Sequence, residues 1–140
     1  MRMRQLSLFL ENRPGQLLGP CRLLVDAGIQ IWAMSLVDTE RFGILRMIVS
    51  DWQAGEALLK QAGFVVTVTE VLVTRVNSGQ ELLALLELLA TEEINLEYLY
   101  GFTAGGPPVG LLVLRVAEIE RAEQVMQKAA VPLLGQADFA

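Results

Sequence analysis

The sequence predicts an α+β fold: two ferredoxin-like βαββαβ units in tandem, with antiparallel sheets. Two observations carry this. The chain repeats itself, and within each copy apolar residues switch between period two and a helical period in the order strand, helix, strand, strand, helix, strand. A third observation secures the packed core. Of 140 residues, 53% are hydrophobic and 19% charged, a balance that excludes disorder.

The repeat is read by self-alignment. Leu23–Ile31 matches Leu88–Leu96 at an offset of 65 residues, whereas Gly43–Val49 matches Gly110–Val116 and Glu56–Phe64 matches Glu123–Val131 at an offset of 67. Two residues have therefore been added between, and the Gly- and Pro-rich run 104–108 is the natural place for them. The domains are placed at residues 1–68 and 69–140.

In the first copy, Leu6, Leu8 and Leu10 alternate as a strand over Gln5–Leu10. Asn12 and Pro14 suit the start of a helix, as N-cap and early proline, and Leu17, Leu18, Cys21, Leu24 and Val25 share one helical face before Gly28 stops it. Strands over Ile29–Asp38 and Gly43–Ser50 follow, then a helix over Asp51–Ala62 capped by Ser50 or Asp51, then a strand over Phe64–Glu70. The second copy predicts strands at Val71–Val76, Ile94–Gly101, Gly110–Val116 and Leu133–Asp138, and helices at Gln80–Ala90 and Ile119–Ala129. Ser78 and Glu81 form a capping box for the first of these helices. Since residues 64–76 contain neither Gly nor Pro, the last strand of one copy runs almost directly into the first strand of the next.

Composition narrows the chemistry. There is no histidine, which removes the commonest general base, the His-activated nucleophiles and the commonest metal ligand. The single Cys21 excludes an internal disulfide and a Cys-rich metal site, and it reads as a small buried hydrophobe. Neither a metal nor a cofactor is expected. The formal net charge of −5 falls entirely in residues 71–140, which argues against a nucleic-acid surface. The apolar run at the start is too short for a signal peptide and Leu82–Ala90 too short for a membrane span, so the protein is expected in the cytoplasm and away from membranes.

What remains is the turn Glu11-Asn12-Arg13-Pro14-Gly15-Gln16-Leu17. A helix N-terminus presents unpaired N–H groups and a positive dipole end to a carboxylate, and Gly15 lets a ligand come close to the backbone. The same residues also make ordinary strand-to-helix punctuation. Arg46, a charge within an apolar strand, pairs either with a carboxylate such as Glu70 or Asp38 or with a ligand; Tyr98 and Tyr100 read as packing residues or as ligand contacts.

The strand followed by Glu11–Leu17, and the helix closing in Ala27-Gly28-Ile29-Gln30-Ile31, resemble the opening of an ACT domain, a βαββαβ module that binds amino acids to regulate metabolism. The phrase Phe42–Asp51 is similar to the third strand of small stand-alone proteins made of two ACT domains. The resemblance implies a regulatory sensor, not an enzyme, that takes a free amino acid at Glu11, Asn12, Arg13, Pro14, Gly15, Gln16 and Leu17, and at Asn77, Ser78 and Gly79 in the second copy. The second copy departs from the pattern, since Gly79 and Gln80 stand where Pro14 and Gly15 would fall, so the first loop is expected to dominate.

Two rivals stand beside this reading: a small acylphosphatase-like hydrolase, for which Arg13 supplies one element only, and a regulatory subunit acting purely through protein contacts with a partner enzyme. Both faces of the strands at Ile31–Val37 and Ile44–Val49 are apolar, with Ile31, Ala33, Ser35 and Val37 assigned to one side; a covered second face, and hence a homodimer, is expected.

Overall fold

The structure is a computed structural model and describes residues 1–38, 40–103 and 110–139. The run 104–108, expected to hold the insertion, lies outside the described residues. The elements in chain order are β1 (Met3–Glu11), α1 (Leu18–Asp26), β2 (Ile31–Asp38), β3 (Phe42–Val49), α2 (Trp52–Gln61), β4 (Val65–Val76), α3 (Gly79–Thr91), β5 (Leu96–Thr103), β6 (Gly110–Val116), α4 (Ile119–Lys128) and β7 (Leu133–Leu134), ending in a 3₁₀ turn at Gln136–Asp138. This is βαββαβ twice, with the fourth strand of one copy and the first strand of the next merged into β4. The merger follows from the β-branched run Val65–Val76, which holds no residue that would break a strand.

The chain divides into two compact units. The first comprises Arg4–Thr69 with Phe139, and the second comprises Met1–Met3 with Glu70–Asp138. In the first, the strands lie in the order β2-β3-β1-β4. Antiparallel registers Leu6↔Met47 and Leu8↔Leu45 put Leu6, Leu8, Leu45 and Met47 on one face, where Leu24 of α1 and Leu59 of α2 join them in a fully buried core. On the opposite face, Arg46 stands in register between Ser7 and Ser35. Phe139 stacks on Trp32, with ring centroids 5.1 Å apart and planes 20° from parallel.

The second unit repeats the plan, with β4, β5, β6 and β7 in the order β7-β4-β6-β5. Its core is Leu72 and Leu114 from the sheet, Leu85 and Leu89 from α3, and Ala122 and Met126 from α4. Val71, Val73 and Val113 are buried as well. The last expected strand is shorter than Leu133–Asp138 because the Gly135 N–H donates to the Asp138 carboxylate at 2.7 Å and the Asp138 N–H returns to the Gly135 carbonyl, which closes a turn after two strand residues.

One face assignment is corrected. Register slips between Ile31 and Ala33, where Trp32 is an extra residue, so Ile31 pairs with Val49 and packs on the core while Ala33 takes the other face. The second copy carries the same bulge between Leu96 and Tyr98, with Leu96 opposite Val116.

The four helices among the described residues end alike. After α1 the N–H groups of Gly28 and Ile29 donate to the carbonyls of Val25 and Leu24, and the same two bonds close α2 at Gly63 and Phe64, α3 at Glu93 and Ile94, and α4 at Ala130 and Val131. The motif needs a left-handed residue. In the first copy this is glycine, Gly28 (φ +77°) and Gly63 (φ +93°), but in the second it is Glu93 (φ +56°) and Ala130 (φ +58°).

Candidate functional site

The turn between β1 and α1 is longer than the sequence suggests. Gly15 takes φ +78°, which turns the chain out of a helical path, so α1 begins at Leu18 with Leu17 at the N-cap and no side chain capping it. Asn12 is therefore not the cap; its N–H donates to the Arg41 carbonyl at 3.0 Å. Pro14 likewise lies ahead of the helix. The N–H groups of Gln16 and Leu18 donate inward, to the carbonyls of Arg13 and Gly15, so the turn spends part of its donor set on itself.

What faces solvent is the set of side chains. Glu11 ends β1, and its carboxylate lies 3.7 Å from the Arg13 guanidinium, with both groups largely exposed and the pair correspondingly weak. The Gln16 amide oxygen accepts from the Arg13 N–H at 3.4 Å. Glu11, Arg13 and Gln16 share a cavity of about 210 Å³ with Phe9, Leu10 and Phe64. Leu17 packs against the core, and neither it nor Asn12, Pro14 or Gly15 lines that cavity.

The corresponding turn of the second unit is wound tighter. Ser78 caps α3 by accepting from the Glu81 N–H at 3.1 Å, as the sequence predicts, and Gly79 is the first helical residue. Glu81 reaches past the capping residue: its carboxylate accepts from the Asn77 N–H at 2.6 Å. Asn77 and Glu81 line a cavity of about 540 Å³ with Arg75, Leu85, Leu88 and the segment Ala129–Pro132.

With two equivalent turns on two βαββαβ units in view, comparison with known proteins becomes decisive. A family model described as an ACT domain pair matches residues 1–140. The chain belongs to that family. Among solved structures, protein BT0572 from Bacteroides thetaiotaomicron matches this ACT pair at 32% identity and a TM-score of 0.91, over 99% of this chain and 95% of that one. The regulatory subunit of aspartate kinase from Thermus thermophilus, in its ligand-free form, matches at 17% identity and TM-score 0.60 over 90% and 91% of the two chains. The equivalent subunit from Thermus flavus matches at 14% and 0.63 over 89% and 88%. At such identities the likeness to the aspartate kinase subunits is one of fold. No curated protein sequence matches the chain.

Of the site residues expected in the ACT pair, the structure thus brings Glu11, Arg13 and Gln16 together in one unit and sets Asn77 in a cavity of the other, while Ser78 and Gly79 serve the helix start. Tyr98 and Tyr100 stand on β5 opposite Arg115 and Val113, and neither lines a turn cavity. The Glu70 carboxylate is engaged by Arg2 at 3.2 Å. Cys21 is half-buried, and burial pushes its thiol up, away from the reactive thiolate. Sequence reasoning missed Phe9, Phe64, Arg75, Val131 and Pro132 as cavity residues. A signal existed for two of them, because Phe64 and Val131 are partners in the repeat.

No described helix is long and apolar enough to cross a membrane. Among the described residues no group of three or more Cys, Asp or Glu is placed to hold a metal ion.

Proposed function

We propose that this ACT pair is a non-catalytic regulatory module that binds a free amino acid at its strand-to-helix turns and passes the occupied state to a partner enzyme. One observation carries the reading. In each unit a cavity opens where the first strand meets the first helix, with an arginine and a glutamate among its lining residues, Arg13 and Glu11 in one and Arg75 and Glu81 in the other. Such a pair complements a zwitterion, the carboxylate meeting the guanidinium and the ammonium the carboxylate. Family membership and the fold shared with regulatory subunits of aspartate kinase support the regulatory role. The lack of histidine supports a binding protein over an enzyme.

The first-copy residues are Glu11, Asn12, Arg13, Pro14, Gly15, Gln16 and Leu17, joined by Asn77, Ser78 and Gly79 in the second. We further propose a cytoplasmic homodimer. Its support is the apolar surface of the first unit, where Phe9 (48% exposed) and Val37 (46%) flank Ile44 in register and Phe42 (50%) adjoins them.

The test is a thermal-shift screen against the twenty amino acids, followed by calorimetry of Arg13→Ala and Asn12→Ala. A ligand that binds only the folded state raises the transition temperature with concentration. Absence of a shift for every amino acid at millimolar concentration would refute the reading.

A further inference from the structure

We infer that the second unit holds a ligand chamber for an aliphatic α-amino acid, opened in part by the loss of an aromatic plug that the first unit retains. The ligand class rests on the reading above; the location and side-chain selectivity are added to it.

The repeat supplies the argument. In the first unit, Phe64 is the residue that follows the left-handed cap of α2, and its ring lies 3.6 Å from where a Cβ on Gly19 of α1 would stand, so it closes the space between α1 and the start of β4. The cavity left there is about 210 Å³. In the second unit the same positions, at offsets of 67 and 65, are Val131 and Ala84. Both line a cavity of about 540 Å³. Ligand sites span about 300–1,000 Å³, and exchange of a ring for an isopropyl group is one of the changes that bring the second cavity into that range.

Two further exchanges change the chemistry of the same wall. By strand register Phe9, opposite Ile44, is replaced by Arg75, opposite Leu111, and at the offset of 65 Gln16 is replaced by Glu81. Among the described residues Arg75 has no ion-pair partner. Its guanidinium can take a carboxylate through two parallel hydrogen bonds. Glu81 Oε2 accepts from the Asn77 N–H, which leaves Oε1 for an ammonium. Of the remaining lining residues Asn77 alone carries a polar side chain, while Ala84, Leu85, Leu88, Val131 and Pro132 are hydrocarbon, which favours an aliphatic ligand side chain.

The decisive variant rebuilds the plug. Ala84→Gly with Val131→Phe gives the second unit the pair the first unit already carries. Arg75→Gln alters an exposed group and keeps the test open if the double variant does not fold, as judged by circular dichroism. The probes are L-leucine and 4-methylpentanoate, the latter keeping the carboxylate and branched body without the ammonium group, titrated by calorimetry into the full chain. Expected is binding of L-leucine at this chamber that is abolished by the double variant and weakened about tenfold or more by Arg75→Gln. L-leucine affinity unchanged in Arg75→Gln and in the folded double variant would overturn the chamber while leaving amino-acid binding at the first turn intact. Should none of the twenty amino acids bind, the reading above fails, and the chamber then stands only if 4-methylpentanoate binds the parent and is lost on Arg75→Gln. Failure of both probes on the parent overturns the chamber.

Discussion

Replacing Ala130 by glycine should stabilise this protein, contrary to the usual cost of a glycine. Ala130 sits at φ +58°, where its Cβ crowds the following carbonyl, and it is held there because its N–H and that of Val131 close α4 onto the carbonyls of Gln127 and Met126. A non-glycine residue in this region costs about 1–2 kcal/mol. Glycine removes that strain and gives back about 0.4–1 kcal/mol through the greater freedom of the unfolded chain. The net gain is about 0.5–1 kcal/mol, which for a chain of 140 residues raises the midpoint by roughly 2–5 °C. Gly63, its repeat partner at φ +93°, provides the mirror experiment, and Gly63→Ala should cost about 1 kcal/mol or more. The assay is reversible urea unfolding followed by circular dichroism at 222 nm, a wavelength set by the helical signal. An Ala130→Gly midpoint at or below the parent's, with an unchanged denaturant slope, would show that the strain is relieved elsewhere and refute the reasoning.

Other outcomes follow from single groups. The Glu123 carboxyl is held below the usual carboxylate range, chiefly by the hydrogen bond from the amino terminus and then by Arg2 at 3.2 Å. The unfolded chain therefore binds this proton first on acidification, so the stabilisation is complete above about pH 4.3 and is lost as pH falls through the folded value. Glu123→Gln should lower stability at pH 7 and flatten the acid limb of a stability profile; parallel profiles for parent and variant would contradict this. Asp51 caps α2 by accepting from the Ala54 N–H at 3.1 Å, and Asp51→Ala should cost about 0.5–2 kcal/mol by the same unfolding assay, whereas Ser50, which accepts from the Gln30 N–H instead, is not the cap. Half-buried Cys21, its thiol pushed up, should react with Ellman's reagent more slowly than free cysteine at pH 8, and a rate equal to or above the free thiol's would show that it is accessible.

Sequence alone determined the architecture, because the information is local and repeated. Alternation through Leu6, Leu8 and Leu10 specifies the buried face of β1 whatever else surrounds it, and the matched segments at offsets of 65 and 67 specify that the plan occurs twice. The capping box at Ser78 and the helix stop at Gly28 were legible for the same reason, each being a few neighbouring residues with one low-energy geometry. Tertiary structure decided what depends on residues distant in sequence. The bulge at Trp32 moved Ile31 to the core, since pairing with Val49 and burial outweighed strict alternation. Glu93 and Ala130 were held left-handed because closing their helices and seating Ile94 and Val131 against the core repays the backbone strain. At the candidate site, Glu11, Arg13 and Gln16 were visible as a motif, but the wall that Phe64 supplies, and the larger space left by Val131 in the other copy, arise only when residues about fifty positions along the chain fold back against the turn. Whether a turn becomes a pocket is a question of the volume that remains after packing, and volume is a property of the assembled side chains.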